Sequence, residues 1–238
     1  MTETIIYDRL LKNEIPCSEE LAGKLLIYFR LLTEWNGKMD LTAVTEEDET
    51  LDKHFADSLC VLKTGLLPPE GSMIDVGTGA GFPGLPIAMA CPGLQLTLLD
   101  AQQKRLTFLD KVISETGLTN VRTVHARAED GARQPQLREN FDIAAARAVA
   151  PLNVLCEYLL PYLRIGGKMI CWKGPALNDE LEAGGRAAAI LGGRISASVR
   201  YEVAGRDWQH TLLVADKLAR TAKTYPRKAG TPKSRPLG

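Results

Sequence analysis

The sequence predicts an α/β protein: a doubly wound, mostly parallel sheet preceded by a helical extension. Three observations lead there. Beyond residue 72, short apolar runs alternate with helical segments, the order that parallel strands with crossover helices require. A glycine-rich turn, Asp75-Val76-Gly77-Thr78-Gly79-Ala80-Gly81-Phe82-Pro83-Gly84, joins the first strand to the helix behind it. Before it the chain shows only helical periodicity, cut off by the breaker-rich Leu66-Leu67-Pro68-Pro69-Glu70-Gly71. The expected division is a helical extension over 1–70, an α/β domain over 71–217 and a basic tail over 218–238.

Each element follows from local chemistry. Ser18 can cap a helix whose first turn holds Glu19 and Glu20, favourable at the positive end of the dipole. Leu21, Leu25, Phe29, Leu32 and Trp35 form its apolar stripe, and Asn36-Gly37 is expected to end it. Thr45-Glu46-Glu47-Asp48 reads as a capping box that starts a second helix, running to about Leu62 with Leu51, Phe55, Leu59 and Leu62 on its apolar face. Strands are expected at 73–76, 94–99, 121–126, 143–146 and 168–172, with two later ones at 195–203 and 211–217. Helices are expected at 83–90, 104–116 (closed by Gly117), after Pro151, and at 179–191.

Composition narrows the function classes. A chain of 238 residues, 45% hydrophobic and 24% charged, can build one large domain with a sizeable core. No run approaches the roughly 18 apolar residues that span a membrane, and the start, with Glu3, Asp8 and Arg9, lacks the pattern of a signal peptide. The five cysteines are scattered and never spaced as C-x-x-C, so reduced thiols in a cytoplasmic protein are expected, without a zinc site. The net charge of zero hides an asymmetry: residues 1–60 carry 13 acids and 6 bases, whereas 217–238 carry seven bases and no acid. Such a tail suits a phosphate backbone, ordered only on its target; a solubilising terminus is the alternative.

Glycines in a strand-to-helix turn let a ligand approach bare main chain. Two frames fit. Gly79-x-Gly81-x-x-Gly84, with Asp100 about 20 residues on, is the dinucleotide fingerprint. Asp75-x-Gly77-x-Gly79-x-Gly81 is the acid-x-Gly-x-Gly-x-Gly motif of class I, S-adenosylmethionine-dependent methyltransferases. Asp75 decides between them: a carboxylate near a pyrophosphate is repulsive, whereas one near a cationic amino acid moiety is favourable. Asp100, at the next strand end, can accept both hydroxyls of a ribose, and Glu129 follows the third strand, where this class meets the adenine.

Further segments resemble the glucose-inhibited division protein B methyltransferases. They are Trp35-Asn36 with Asp40-Leu41-Thr42, His54-x-x-Asp57-Ser58, the glycine turn, Leu98-Leu99-Asp100 with Lys104-Arg105, Arg127-Ala128-Glu129, Arg147-Ala148, Lys173-Gly174 and Tyr225-Pro226-Arg227. Asp40 departs from the family's usual asparagine. The resemblance implies S-adenosylmethionine as cofactor and contacts at Gly77, Phe82, Ala128, Glu129 and Arg147, with Asp100 at the ribose. It also implies a Rossmann-like, seven-stranded class I methyltransferase sheet whose last strand is antiparallel. The implied reaction is methylation of guanine nitrogen 7 in small-subunit ribosomal RNA. A monomer with neither membrane nor metal is expected.

That ring nitrogen carries a lone pair and no proton, so in-line attack needs no general base, only placement and an environment that tolerates charge arriving on the purine. Arg147, at the fourth strand end, can hold a phosphate or a guanine edge. Lys173, at the fifth strand end, faces the same way, while Trp172 is expected in the core. His54, Asp57 and Ser58 share one side of the second helix, where they close over the cofactor, meet RNA, or simply fasten the helix to the sheet. The rivals are a small-molecule methyltransferase, a nicotinamide-dependent oxidoreductase, for which the chain after residue 150 offers no clear histidine, and a non-catalytic RNA-binding relic of the same fold.

Overall fold

The computed structural model describes residues 1–147, 150–208 and 210–238; Ala148 of the Arg147-Ala148 pair lies outside them. A helix that the sequence pattern does not announce comes first: α1 (Glu3–Lys12), capped by Thr2, buries Ile6 and Leu10. The helix α2 (Glu19–Met39) is capped by Ser18 as expected, but it runs past Asn36-Gly37 and ends at Asp40. Asp40 takes the left-handed conformation (φ 48°), which Asn and Asp tolerate best after glycine. This accounts for an asparagine or aspartate at that position. Asn36 is occupied instead in bracketing Thr42, donating to its carbonyl (2.9 Å) and accepting from its N–H (2.8 Å).

The expected second helix is broken into pieces: α3 (Glu47–Thr50), a wider π turn (Leu51–Ala56), α4 (Asp57–Leu59) and a tight 3₁₀ turn (Cys60–Lys63). No capping box forms at Thr45, because Asp48 pairs with Arg9 of α1 at 2.8 Å and Glu46 takes the cap position without a side-chain bond. Leu51, Phe55 and Leu59 are buried as the apolar face requires.

The remainder is β1 (Gly71–Val76), α5 (Gly84–Ala90), β2 (Leu94–Asp100), α6 (Gln103–Thr116), β3 (Val121–His125), the short α7 (Ala128–Gly131), β4 (Phe141–Arg147), α8 (Leu152–Leu159), β5 (Leu163–Lys173), α9 (Leu177–Ile190), β6 (Gly193–Tyr201), β7 (His210–Lys217) and α10 (Thr231–Ser234). The seven strands lie in the order β3-β2-β1-β4-β5-β7-β6. β7 runs antiparallel to both its neighbours and the other ladders are parallel. Successive residues of the central strands feed two cores. Met73, Ile143 and Ile170 pack under α2, α5 and α6; Ile74, Ala144 and Met169 pack under α8 and α9. Trp172 is in the first core. The strand order reverses between β1 and β4, the switch point outside whose carboxyl ends such sheets take ligands. Among the described residues no helix is long and apolar enough to cross a membrane.

The tail departs from the expectation of order only on a target. Lys217 is 1% exposed and donates to the carbonyls of Leu160 (2.8 Å) and Leu191 (3.1 Å), and burial pushes its ammonium down to about 8. It is therefore unavailable to a phosphate backbone. Arg227 grips the fully buried Glu157 with its main-chain N–H (2.7 Å) and guanidinium (2.6 Å). The bases left exposed are Arg220, Lys223, Lys228, Lys233 and Arg235.

Candidate active site

A cavity of about 550 Å³ opens at the switch point, within the usual range for cofactor sites. One wall is the glycine turn. Gly77, Gly79 and Gly81 all have positive φ (73°, 60° and 105°), which lets the main chain turn back without side chains filling the space. A Cβ on Gly79 would meet only a main-chain oxygen 4.0 Å away, so that glycine leaves open room; one on Gly81 would fall 2.7 Å from the Tyr28 hydroxyl. Tyr28, fully buried on α2, donates that hydroxyl to the carbonyl of Ala80 and stacks on Phe82 at 5.2 Å. The helical extension thereby holds the turn from behind.

Asp75 does not line the cavity, contrary to the expectation of cofactor contact. Its carboxylate is fully buried and accepts from Thr78 Oγ1 (2.6 Å) and the N–H of Gly84 (2.9 Å), bracing the turn across its width. Burial pushes this carboxyl up to about 6, against the pull of those two bonds. Asp75 therefore separates the two cofactor frames by another route than charge. A pyrophosphate at a helix N-terminus needs free amides. Here Gly84 N–H is taken by Asp75, Leu85 N–H by the Gly81 carbonyl, Ile87 N–H by the Pro83 carbonyl, and Pro83 and Pro86 have none. The start of α5 offers nothing to a phosphate.

The remaining walls come from the neighbouring strand ends. Asp100 accepts on Oδ2 from the N–H of Gly79 (3.0 Å) and from Arg105 (3.4 Å), and on Oδ1 from the N–H of Gln102 (2.8 Å), which fixes its carboxylate in the cavity lining and leaves Oδ1 acceptor capacity for a diol. Ala128 and Glu129 line the far end. Glu129 also accepts the N–H of Gly230 (2.7 Å), so the tail closes that end, and Gly230 and Lys233 join the lining. Bare glycine main chain, a diol acceptor, a second carboxylate and no phosphate seat fit S-adenosylmethionine. Among the described residues no cluster of His, Cys, Asp and Glu could hold a metal ion.

Arg147 projects from the end of β4 toward the π turn and α4. Its Nη1 donates to the carbonyl of Lys53 in the π turn (2.7 Å) and to Asp57 (2.8 Å), and its Nη2 points at His54 Nδ1 (3.3 Å). Since an arginine only donates, His54 Nδ1 accepts and its Nε2–H donates to Thr42 Oγ1 (2.8 Å). Burial, with the Arg147 charge adding to it, pushes His54 down to about 4, so the imidazole stays neutral at physiological pH. It stacks on Phe82 at 4.4 Å, and the Arg147 guanidinium sits 5.1 Å from the same ring. Ser58 is not part of this group: it is fully buried and its hydroxyl has no partner among the described residues.

His54 and Arg147 also line a second cavity, of about 290 Å³, on their other side. Lys173 borders it, paired with Glu180 at 2.6 Å. So does His210, the histidine after residue 150 that spacing alone does not flag, along with Tyr201. Both donate to Asp57 Oδ1, His210 from Nδ1 (2.7 Å) and Tyr201 from its hydroxyl (2.6 Å), while Trp172 Nε1–H donates to the Asp57 carbonyl (2.9 Å). Burial pushes the Asp57 carboxyl up, but the donors His210, Arg147 and Tyr201 outweigh it and hold it below the usual range.

The sequence profile of one family, described as rRNA small subunit methyltransferase G (GidB), matches residues 22–206. The chain belongs to this family. A curated relative from Clostridium perfringens is 46% identical over 92% of each chain, and one from Alkaliphilus metalliredigens is 49% identical over 90% of each. Both are named ribosomal RNA small subunit methyltransferase G. Among solved structures, M. jannaschii TYW2 in complex with AdoMet superposes with a TM-score of 0.56 at 12% identity, covering 75% of this chain and 81% of its own. A mutant 16S rRNA adenine-N1 methyltransferase from Catenulisporales acidiphilia, with cosubstrate SAM, gives 0.52 at 16% identity, covering 66% of this chain and 94% of its own. At these identities the likeness is one of fold: the class I methyltransferase sheet.

Proposed function

We propose that the chain is a monomeric, cytoplasmic S-adenosylmethionine-dependent methyltransferase acting on nitrogen 7 of a guanine in small-subunit ribosomal RNA. The observation that carries the reading is the pair of cavities that share His54 and Arg147. The larger fits the methyl donor, and the smaller adjoins it at those two side chains. Family membership supplies the substrate class. In this reading the 71–217 domain holds the cofactor, the 1–70 helices brace its turn through Tyr28, and the 218–238 tail closes the far end.

When bound, S-adenosylmethionine supplies an electrophilic methyl group. The chain's own residues have little bond-making to do, because guanine nitrogen 7 has no proton to remove. Their work is to place two reactants in line. Gly77, Gly79 and Phe82 would hold the donor side, Asp100 would accept the ribose hydroxyls, and Ala128 and Glu129 would border the adenine. Arg147 and neutral His54 border both cavities and so flank the line of transfer. Asp57 balances the Arg147 charge at 2.8 Å, so positive charge arriving on the purine does not meet an uncompensated cation. Lys173, neutralised by Glu180, contributes an ammonium at the acceptor rim without adding net charge.

The test is transfer of a labelled methyl group to naked small-subunit RNA and to assembled small subunits, with the modified base mapped. The expected product is a single 7-methylguanosine. Transfer to protein or small molecules only would reject the RNA assignment.

A further inference from the structure

We propose that the smaller cavity seats the acceptor guanine ring and that His210 Nε2 accepts the proton-bearing nitrogen 1 of that ring. This rests on the reading of the chain as an RNA guanine methyltransferase. The cavity can take a base: Val44 and Trp172 give it apolar surface, and polar side chains, Asp57, Arg147 and His210 among them, border that surface. A Cβ on Gly174, at its edge, would meet nothing within 4 Å.

The polar groups are set for guanine. Asp57 is an ionised acceptor whose Oδ1 is 2.7 Å from His210 Nδ1, so Nδ1 carries the hydrogen, and in the neutral imidazole Nε2 is the acceptor. Among the described residues nothing hydrogen-bonds to Nε2, and Trp208 stacks on the ring at 5.6 Å, holding its plane. The imidazole is thus a pre-oriented acceptor bordering the cavity. Arg147 is the neighbouring donor: Nη1 is engaged by Lys53 and Asp57, but an Nη2 hydrogen and Nε–H remain. Arg147 and His210 are neighbours around one carboxylate, as O6 and nitrogen 1 are neighbours on a guanine. With O6 on Arg147 and N1–H on His210, nitrogen 7 keeps its lone pair unengaged toward the larger cavity. Adenine presents an acceptor at nitrogen 1 and a donor at position 6, the reverse of both requirements.

The discriminating variant is His210→Asn, whose amide N–H₂ takes the place of Nδ1 and can still donate to Asp57 while nothing replaces Nε2. We expect kcat/KM on small-subunit RNA to fall about 10–100-fold, as for loss of a hydrogen bond to a reacting base. His210→Ala should fall at least as far, with calorimetric Kd for S-adenosylmethionine within about twofold of wild type in both. A His210→Asn enzyme with wild-type kcat/KM overturns the assignment, since the imidazole would then only complete the surroundings of Asp57. So does a cofactor Kd that weakens in step with turnover. If asparagine prevents cooperative unfolding, His210→Gln, whose amide oxygen reaches the Nε2 position, gives the reading: activity above His210→Ala supports the proposal and activity equal to it overturns it. A wild-type protein that binds S-adenosylmethionine yet transfers nothing to RNA overturns the underlying reading instead, and the pocket assignment with it.

Discussion

On one side of the cofactor cavity the lining comes from one short run of sequence, Val76 to Phe82, shaped by its glycines. On the other stand His54 and Arg147, held in a group of side chains that lie far apart in sequence: Asp57 takes hydrogen bonds from Arg147, Tyr201 and His210, separated from it by 90, 144 and 153 positions. The near wall works by conformation. Positive φ angles and the Asp75 brace give a shape that needs no side chain inside it. The far wall works by charge and hydrogen bonding, and each of its groups is satisfied only because several others are in place. A fault in the near wall should therefore remove binding outright. A fault in the far wall should leave the cofactor site and alter rate, stability or pH response.

The sharpest break is at Gly81. Gly81→Val places a side chain at φ +105°, within 2.9 Å of Tyr28, Leu85 and Leu109. We expect loss of detectable cofactor binding by calorimetry and several kcal/mol of destabilisation, on the order of ~3–5. Gly79→Ala, with open space at φ +60°, should cost only about 1 kcal/mol. Equal effects at the two positions would erase the distinction between shape and space within the turn.

Arg147→Ala comes next. Turnover should drop about 100-fold or more with the fold retained, because Asp57 keeps its bonds from Tyr201 and His210. Arg147→Lys should rescue little, since one ammonium cannot serve Lys53, Asp57 and His54 together. Single-turnover rates near wild type would remove Arg147 from the site.

Arg227→Ala separates stability from chemistry. It strands a fully buried Glu157 carboxylate, and denaturant unfolding should show about 3 kcal/mol of lost stability. Because the same tail carries Gly230 and Lys233 into the cavity lining, cofactor affinity should weaken as well. An unchanged Kd would mean that the tail merely borders the site.

The pH response sharpens the far wall further. His54 is pushed down to about 4 by burial and by Arg147, below its unfolded value of 6.5. Its neutral form is what the fold favours, so its contribution is present above 6.5 and is lost as pH falls from there toward 4. Roughly 3 kcal/mol should disappear across that window, and His54→Gln should flatten it. Asp75, pushed up to about 6, works in the opposite sense, stabilising most below 3.8 and losing that contribution as pH rises through 6. The His54→Gln difference curve isolates one from the other.

The smallest effect concerns the tail surface. Neutralising Lys223, Lys228, Lys233 and Arg235 to Gln should reduce the salt dependence of RNA binding, by up to about 0.7–0.9 in log–log slope for each phosphate that no longer meets a cation. Lys217 and Arg227, engaged inside the fold, should not contribute. An unchanged slope would leave the exposed bases a solubility role.

The sequence by itself determined the sheet, its strand-to-helix alternation, the glycine turn and the strand-end placement of Asp100 and Arg147. Those features depend on residues close in sequence: the alternation of apolar side chains, the positive φ that only glycine adopts freely, the next strand's end. It did not announce α1, whose short apolar pattern is weak, nor the π turn, because one added residue in a helical turn leaves no compositional mark. The bearing of Asp75 was legible only as a charge near a ligand, whereas the folded chain uses it as a buried brace that takes the amide a phosphate would need. His210, Tyr201, Gly230 and the burial of Lys217 were decided by tertiary structure alone. Each becomes meaningful only when β7, β6 or the tail is laid beside residues far away in the chain, and the chemistry of a lone histidine or lysine does not specify which carboxylate or carbonyl it will meet.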